Sequence, residues 1–465
     1  MLPLSIARNL ALTAALCGFA SAQADGPALG TNRIFQADIE SGAMTVDEIR
    51  AEGLRVFCTP FNQMDGYGDG AVNPLDPISP GGRPTLQGNG TFLRVNGLDA
   101  QSCLECHGIG SAATIPATFA VGGVGPSSTN VIFQPRRIDV IDAAGQGMAG
   151  FNGRFINPPF LFGSGGLELL ALEMTAALQQ GPRAAFASPD SDIPLVTHGV
   201  SFGSIRFDSA SGAFDYSLLD GIGQDLVVRP FGRKGSFQTV RGFDVEAMRF
   251  HFGIEPSELV GGGVDADGDG VSDEVLAGEI SAMHVFGATL ERPEVRDWTP
   301  EADRGLDVFE AIGCAACHIP SLSTRSRSLP FRFPEVETAP QLNQFLRVDL
   351  TQSTAGFDPA PGGGLQVPLF SDLKLHDMGP GLAETFGNPD DALYTTARLW
   401  GVADTAPYLH DGRATTLTDA ILLHGGEAQG SRDAFAALPA VQQVEVLTFL
   451  KRLRTPLDPA GDLLP

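Results

Sequence analysis

The chain repeats one hydrophobic pattern. In "VDEIRAEGLRVF" (46–57) and in "EADRGLDVFEAIG" (301–313), apolar positions recur at helical spacing among acids and arginines. "GLRVF" (53–57) and "GLDVF" (305–309) agree at four of five positions. Each stretch predicts an amphipathic helix, and together they predict a duplicated module. Two later stretches have the pattern of closing helices. "GLELLALEMTAALQQ" puts Leu167, Leu170, Met174 and Leu178 on one face, and "VQQVEVLTFLKRL" does the same with Val444, Leu447, Leu450 and Leu453. Between the modules the period changes. "HGVSFGSIRFDSASGAFDYSLLDG" has short β-type runs about a Ser-Gly turn, which predicts a small hairpin from Val200 to Leu219. "FQTVRGFDVEAMRFHFG" is helical again. The expected units are 25–190, a connecting region 191–295, and 296–465. With 57 glycines and 33 prolines, long loops join modest helices.

The first 24 residues have another character. One early Arg8, an apolar run from Leu10 to Ala20 and the small-x-small triplet Ala22-Gln23-Ala24 predict an export signal. The mature chain is expected to start near Asp25 and to reside in a bacterial periplasm. No later stretch stays apolar for about 18 residues, so no membrane span is expected. The net charge of −25 argues against a nucleic-acid partner, because a phosphate backbone attracts a basic face. It suits plain solubility, or steering of a basic electron-donor protein.

The chemistry lies in two short motifs. Cys103-Leu104-Glu105-Cys106-His107 and Cys314-Ala315-Ala316-Cys317-His318 share the Cys-x-x-Cys-His spacing. Two thiols so placed can add to the two vinyl groups of a haem, and the adjoining histidine becomes the fifth iron ligand. The rival is a zinc or redox site, which would need a second ligand pair at metal spacing. Two motifs behind an export signal point to two covalently bound haem c groups. A helix before the motif and a helix at the end is the plan of a class I cytochrome c domain. The predicted fold is therefore mainly α, two such haem domains with long loops and a small β-hairpin insertion. Cys58 is left over and is expected to be a buried, small apolar side chain.

The other face of each iron decides between electron transfer and binding of a small oxidant. His376 and Met378 in "KLHDMGPGL" and His251 at the end of "DVEAMRFHFG" are the candidate distal ligands, in the order His376, Met378, His251. His410 in "APYLHDGRATTL" is expected to be structural or to support a ligand. His424 in "LLHGGEA", His198 and His284 carry no ranked role. "DADGDGVSDE" (265–274) sets Asp265, Asp267 and Asp269 at alternate positions, followed by Gly270 and Asp273. That is a calcium-loop layout without the final glutamate, since Leu276 occupies that place; a solvated acidic turn is the alternative. Asp65, Asp69 and Asn73 form a weaker echo.

The segments "FSDLKLHDMGPGL" and "LYTTARLWGVADTAPYLHDGRATTLTDAILLHGGEA" resemble the di-haem oxidoreductases known as peroxidases or thiol oxidoreductases. These are related to bacterial di-haem cytochrome c peroxidases and their maturation-enzyme kin. "GRPTLQGNGTFLRVNGLDAQSCLECH" and "FINPPFLFGSGGLELLALEM" extend the resemblance from about residue 50 to 455. The resemblance implies peroxide reduction at the N-terminal haem, with electrons arriving through the C-terminal one from a cytochrome c or cupredoxin. It implies a functional role for His376 and a proton-moving carboxylate near the first haem. Glu168 is the candidate for that role and Glu173 the alternative, although both lie on an amphipathic helix where a solvated face would account for them. It also implies a calcium ion between the haem domains. The chain departs from the pattern at Leu393, where a ligand is expected shortly before "TAPY". Leucine cannot bind iron, which leaves His376, Met378 or Tyr394 for the second haem. The alternatives to a peroxidase are a pure electron-transfer cytochrome and a di-haem oxygenase acting on an organic substrate.

Overall fold

A glycine in each repeated helix marks where a second helix crosses. The computed structural model describes residues 26–68, 102–105, 107, 109, 132–139, 150–384, 390–457, 459 and 463. The expected signal segment, Cys106, Asp69 and Asn73 lie outside the described residues. Helix α1 (Val46–Cys58) starts at Thr45, whose hydroxyl accepts from Glu48 N while the Glu48 carboxylate accepts from Thr45 N. Helix α5 (Pro300–Ala311) starts at Thr299 with proline in its first turn.

Each of these helices lies across one partner. A methyl group on Gly53 would run into the Ala282 carbonyl of α4 (Ala277–Ala288). A methyl on Gly305 would run into the Glu445 carbonyl of α7 (Ala440–Leu450). Four residues beyond each contact an aromatic pair closes the crossing: Phe57 on Phe286, with ring centroids 5.6 Å apart, and Phe309 on Phe449 at 5.3 Å. Phe286 and Phe449 are fully buried. Burial of each such ring stabilises the fold by about 1.5–3 kcal/mol.

The expected closing helix of the first half is corrected here. It is α4, inside the expected connecting region 191–295, and not the stretch after residue 164. Helix α2 (Ser164–Leu178) is buried on nearly every side, including Leu167, Leu169, Leu170, Leu172, Met174 and Leu178. Leucine on all faces makes a central helix rather than a surface one. Its Gly165 abuts the Ala288 carbonyl, and its Gly166 abuts the Phe357 ring.

A second repeat joins the first. "RPFGRKGSFQT" (229–239) and "APYLHDGRATT" (406–416) have equal length. Each is closed by one antiparallel bridge, Phe231 to Phe237 and Tyr408 to Ala414. Each ends in a threonine cap: Thr239 for α3 (Val240–Ala247) and Thr416 for α6 (Leu417–Leu422).

The expected hairpin forms from Val200–Asp208 and Ala213–Asp215, with Ile193–Thr197 as a third strand. The remaining sheets of the described residues are likewise small, with two or three strands each. One pairs Leu375–Asp377 with Leu393–Thr395 and sets His376 opposite Tyr394. Among the described residues no helix is long and apolar enough to cross a membrane.

The close crossings predict a large effect from small changes. Gly305→Val should cost about 2 to 3 kcal/mol, because backbone on the partner helix cannot yield as a side chain would. Urea unfolding of the haem-loaded protein measures it, and an unchanged midpoint would contradict this packing.

Candidate cofactor sites

Both Cys-x-x-Cys-His motifs fold into the same turn. A short 3₁₀ segment covers Cys103–Glu105 in one and Cys314–Ala316 in the other. The histidine N–H returns to the first cysteine carbonyl, at 2.9 Å for His107 and 3.0 Å for His318. Each imidazole is then fixed by a main-chain oxygen. His107 Nδ1 lies 2.8 Å from Pro159 O and His318 Nδ1 lies 3.0 Å from Phe370 O. Both acceptors are 52 residues downstream of their histidine. A proton held on Nδ1 leaves the Nε2 lone pair for a metal, the usual outer support of a ligating histidine. Burial, with nearby His424 adding to it, pushes His318 down to about 4. It is therefore neutral, the form that binds iron. The Cys314 thiol is pushed up to about 11 by burial.

His424 faces this site and was not ranked from sequence. Its ring centroid is 6.4 Å from that of His318. Its Nδ1 is held by Ala420 O at 2.8 Å, and burial lowers its pKa too. Two neutral imidazoles, each tied at Nδ1 by a carbonyl, fit a shared iron. A bond of about 2.0 Å on each side, plus about 1.1 Å from nitrogen to ring centre, gives a separation of about 6.2 Å. The ring at the same 6.4 Å from His107 is Phe243 on α3, which has no donor atom.

The expected first choice among distal ligands, His376, has other work. Its Nδ1 is 2.7 Å from Glu427 and its Nε2 is 2.9 Å from Asp372. Cys317 Sγ lies 3.9 Å from Nδ1. Burial opposes the charge, but the bonds to Asp372, Cys317 and Glu427 override it and push His376 up to about 11. An imidazolium with both nitrogens engaged by carboxylates has no lone pair for iron. It clamps the neighbouring turn instead. Glu427 follows His424 by three residues and also accepts from Asp377 N at 2.8 Å. Gly379 and Gly426 meet backbone to backbone. Met378 sits half-buried in this contact, its carbonyl close to Gly425.

The other expected residues are placed as follows. His251 lies in the wide turn Met248–Phe252, between the Phe250 and Phe252 rings. Met248 and Phe252 share an apolar cluster with Cys103. The Tyr394 hydroxyl donates to Leu382 O, and its ring stacks on His410 at 4.6 Å, so it does not face His318. Glu168 and Glu173 do not form a solvated face, because α2 is central to the fold. Glu168 is fully buried, with both oxygens 2.9 Å from His284 Nε2 and one also accepting from Val240 N. Both oxygens thus make their contacts inside the fold. Glu173 accepts from the backbone N–H groups of Arg325 and Ser326 and contacts His198. Cys58 is buried, as expected.

The acidic loop is re-sorted. Asp265, Asp267 and Asp269 bring carboxylate oxygens within 4.8 Å of one another. Asp273 turns away to accept from Gly263 N. Asp267 also meets Glu255 and Glu274. Burial, with Asp267, Asp269 and Glu255 nearby, pushes Glu274 up to about 9.

Residues 363–453 match the family model "Di-haem oxidoreductase, putative peroxidase". In this stretch the chain is similar to that family. The match contains His376, Tyr394, His410 and His424, and it agrees with the resemblance found in the sequence. No curated protein matches the chain. Among solved structures, a MauG-like protein associated with microbial copper homeostasis is 18% identical, over 55% of this chain and 77% of its own, with a TM-score of 0.29.

The His376 clamp has a pH signature. Its folded pKa is raised above the unfolded value of about 6.5, so its stabilisation is complete below that pH. The stabilisation is lost as pH rises through about 11. Asp372→Asn should therefore destabilise the protein most near pH 6, and the gap from wild type should narrow towards pH 11 in denaturant titrations. A pH-independent gap would contradict the clamp.

Proposed function

We propose that the protein is an exported di-haem c-type oxidoreductase that reduces hydrogen peroxide. The reading rests chiefly on the His318–His424 pair, two neutral imidazoles with centroids 6.4 Å apart. Cys103, Cys106 and His107 would hold one haem, and Cys314, Cys317 and His318 the other, in two units of class I cytochrome type. When bound, each haem supplies an iron that cycles by one electron.

His318 and His424 would both hold the C-terminal haem, each through its Nε2. A haem held by two imidazoles would leave no iron position for a substrate, so this site would serve electron entry. The small oxidant is assigned to the N-terminal site, where Phe243 offers no ligand. The overall reaction takes one hydrogen peroxide, two electrons and two protons to two waters. The electrons come from a small donor, a cytochrome c or cupredoxin, and the net charge of −25 suits a basic partner. The Asp265–Asp267–Asp269 loop is assigned to calcium, with Glu274 in place of Asp273.

Electron paramagnetic resonance of the oxidised holoprotein tests the haem assignment. One low-spin signal with two nitrogen ligands should be lost in His424→Ala and replaced by a high-spin one, while both haems stay attached. Peroxide turnover with reduced cytochrome c should fall by at least tenfold in the variant. Two low-spin six-coordinate irons in every redox state, without peroxide turnover, would refute the function. For calcium, Asp267→Asn should lower the wild-type melting shift produced by added Ca²⁺, and an equal shift would remove that assignment.

A further inference from the structure

A second cluster of ligand-type side chains lies away from both haem turns. His284 comes from α4, Glu168 from α2, and Glu335 from the loop after strand Ser328–Arg332. Glu168 and His284 have no exposed surface, and the Glu335 side chain is 13% exposed. One atom from each of the three lies within 4.8 Å of the others.

The distances within the cluster are unusual for a simple ion pair. His284 Nε2 is 2.9 Å from both Glu168 oxygens. A single N–H points along one line, so two equidistant acceptors each receive a bent, weakened bond. A metal ion at about 2.1 Å from an imidazole nitrogen and from carboxylate oxygens sets those atoms about 3.0 Å apart at right angles. Glu335 stands ready as a third ligand. Its Oε2 accepts from Thr239 Oγ1 at 2.6 Å, and Arg332 Nη2 is 3.4 Å from its Oε1. The surroundings contain buried polar atoms without a partner: Arg332 Nε and Nη1, Asp244 Oδ2 and His284 Nδ1. Asp244, Glu168, Glu258 and Glu335 supply acid in the same region, opposed by Arg241 and Arg332. Four carboxylates gathered about one imidazole outnumber the two guanidinium groups, and buried charge is costly unless it is matched.

We infer that Glu168, His284 and Glu335 form a binding site for one first-row divalent transition ion, of the Zn²⁺ or Mn²⁺ class. An imidazole nitrogen ligand separates it from calcium, which takes oxygen alone. The ion would tie α2 and α4 to the antiparallel pair of strands Ser328–Arg332 and Gln344–Asp349. It also sits next to the N-terminal cofactor turn in the fold, because α3 gives Val240 N to Glu168 and Phe243 to His107. The site is independent of the haems and does not depend on the peroxidase reading.

The test uses the haem-loaded protein. Elemental analysis gives total metal, and the pyridine haemochrome gives haem iron separately. About one non-haem transition ion per chain is expected. After chelation and dialysis, added Mn²⁺ should lose its free six-line paramagnetic resonance signal on binding at one site. His284→Gln and Glu335→Gln should each weaken that binding at least tenfold with haem content unchanged. If His284→Gln does not fold, Glu335→Gln and the wild-type titration decide. No non-haem metal together with no Mn²⁺ uptake overturns the site. So does Mn²⁺ binding that survives Glu335→Gln but is abolished by Asp267→Asn, since it would then belong to the acidic loop.

Discussion

Two glycines carry the architecture because they allow two helix backbones to touch. At Gly53 and Gly305 no side chain stands between the crossing helices. The carbonyls of Ala282 and Glu445 fill that space instead. Everything near each cofactor turn is referred to that contact. The helix that carries the glycine runs directly into Cys314 in the second half, and ends at Cys58 beside Cys103 in the first. With the crossing fixed, a carbonyl 52 residues after each histidine can reach its Nδ1. The fold thus sets the orientation of the imidazole before any metal is present. Preorganisation of this kind is what a ligand needs, since a misdirected ring would have to be turned at the expense of binding.

Much of this was legible in the residues. The "GLRVF"/"GLDVF" repeat shows the duplication, and the Cys-x-x-Cys-His motifs show the turns. The helix Val240–Ala247 and the hairpin after Val200 follow from their periods. The closing helix of the first half was not legible in the same way. α4 has apolar residues on all sides and no repeat of its partner's pattern, so only the three-dimensional contact with Gly53 identifies it. The stretch after residue 164 has a better-looking face but is central to the molecule. Amphipathic appearance is a weak guide where an apolar helix is covered on every side.

The candidate site divides along the same line. Attachment residues are read from spacing because thioether chemistry demands that spacing. Distal ligands have no such local rule, so composition misdirects: His376 and Met378 sit together in one loop, yet His376 is occupied by Asp372 and Glu427. The clue to His424 lay in the second repeat. "RPFGRKGSFQT" and "APYLHDGRATT" align without gaps, and each ends in a capping threonine. The eighth residue after Thr416 is His424, and the eighth after Thr239 is Ala247. The two segments most like the family, around His376 and around His424, are joined by Glu427. In the fold they pack as one unit.

The two halves therefore differ by what a common scaffold presents. In the second, Ala420 is small, and its carbonyl one turn below His424 holds that ring. In the first, the residue at the position of Ala420 is Phe243, whose ring occupies the space beside His107. An aromatic side chain excludes water and cannot donate to a metal, whereas an imidazole held at Nδ1 has its other nitrogen directed outward. One residue type at one turn of a Thr-capped helix distinguishes the two similarly built sites. Under the proposed function, such a duplicated fold would divide electron delivery from reaction with no change in its helix crossings.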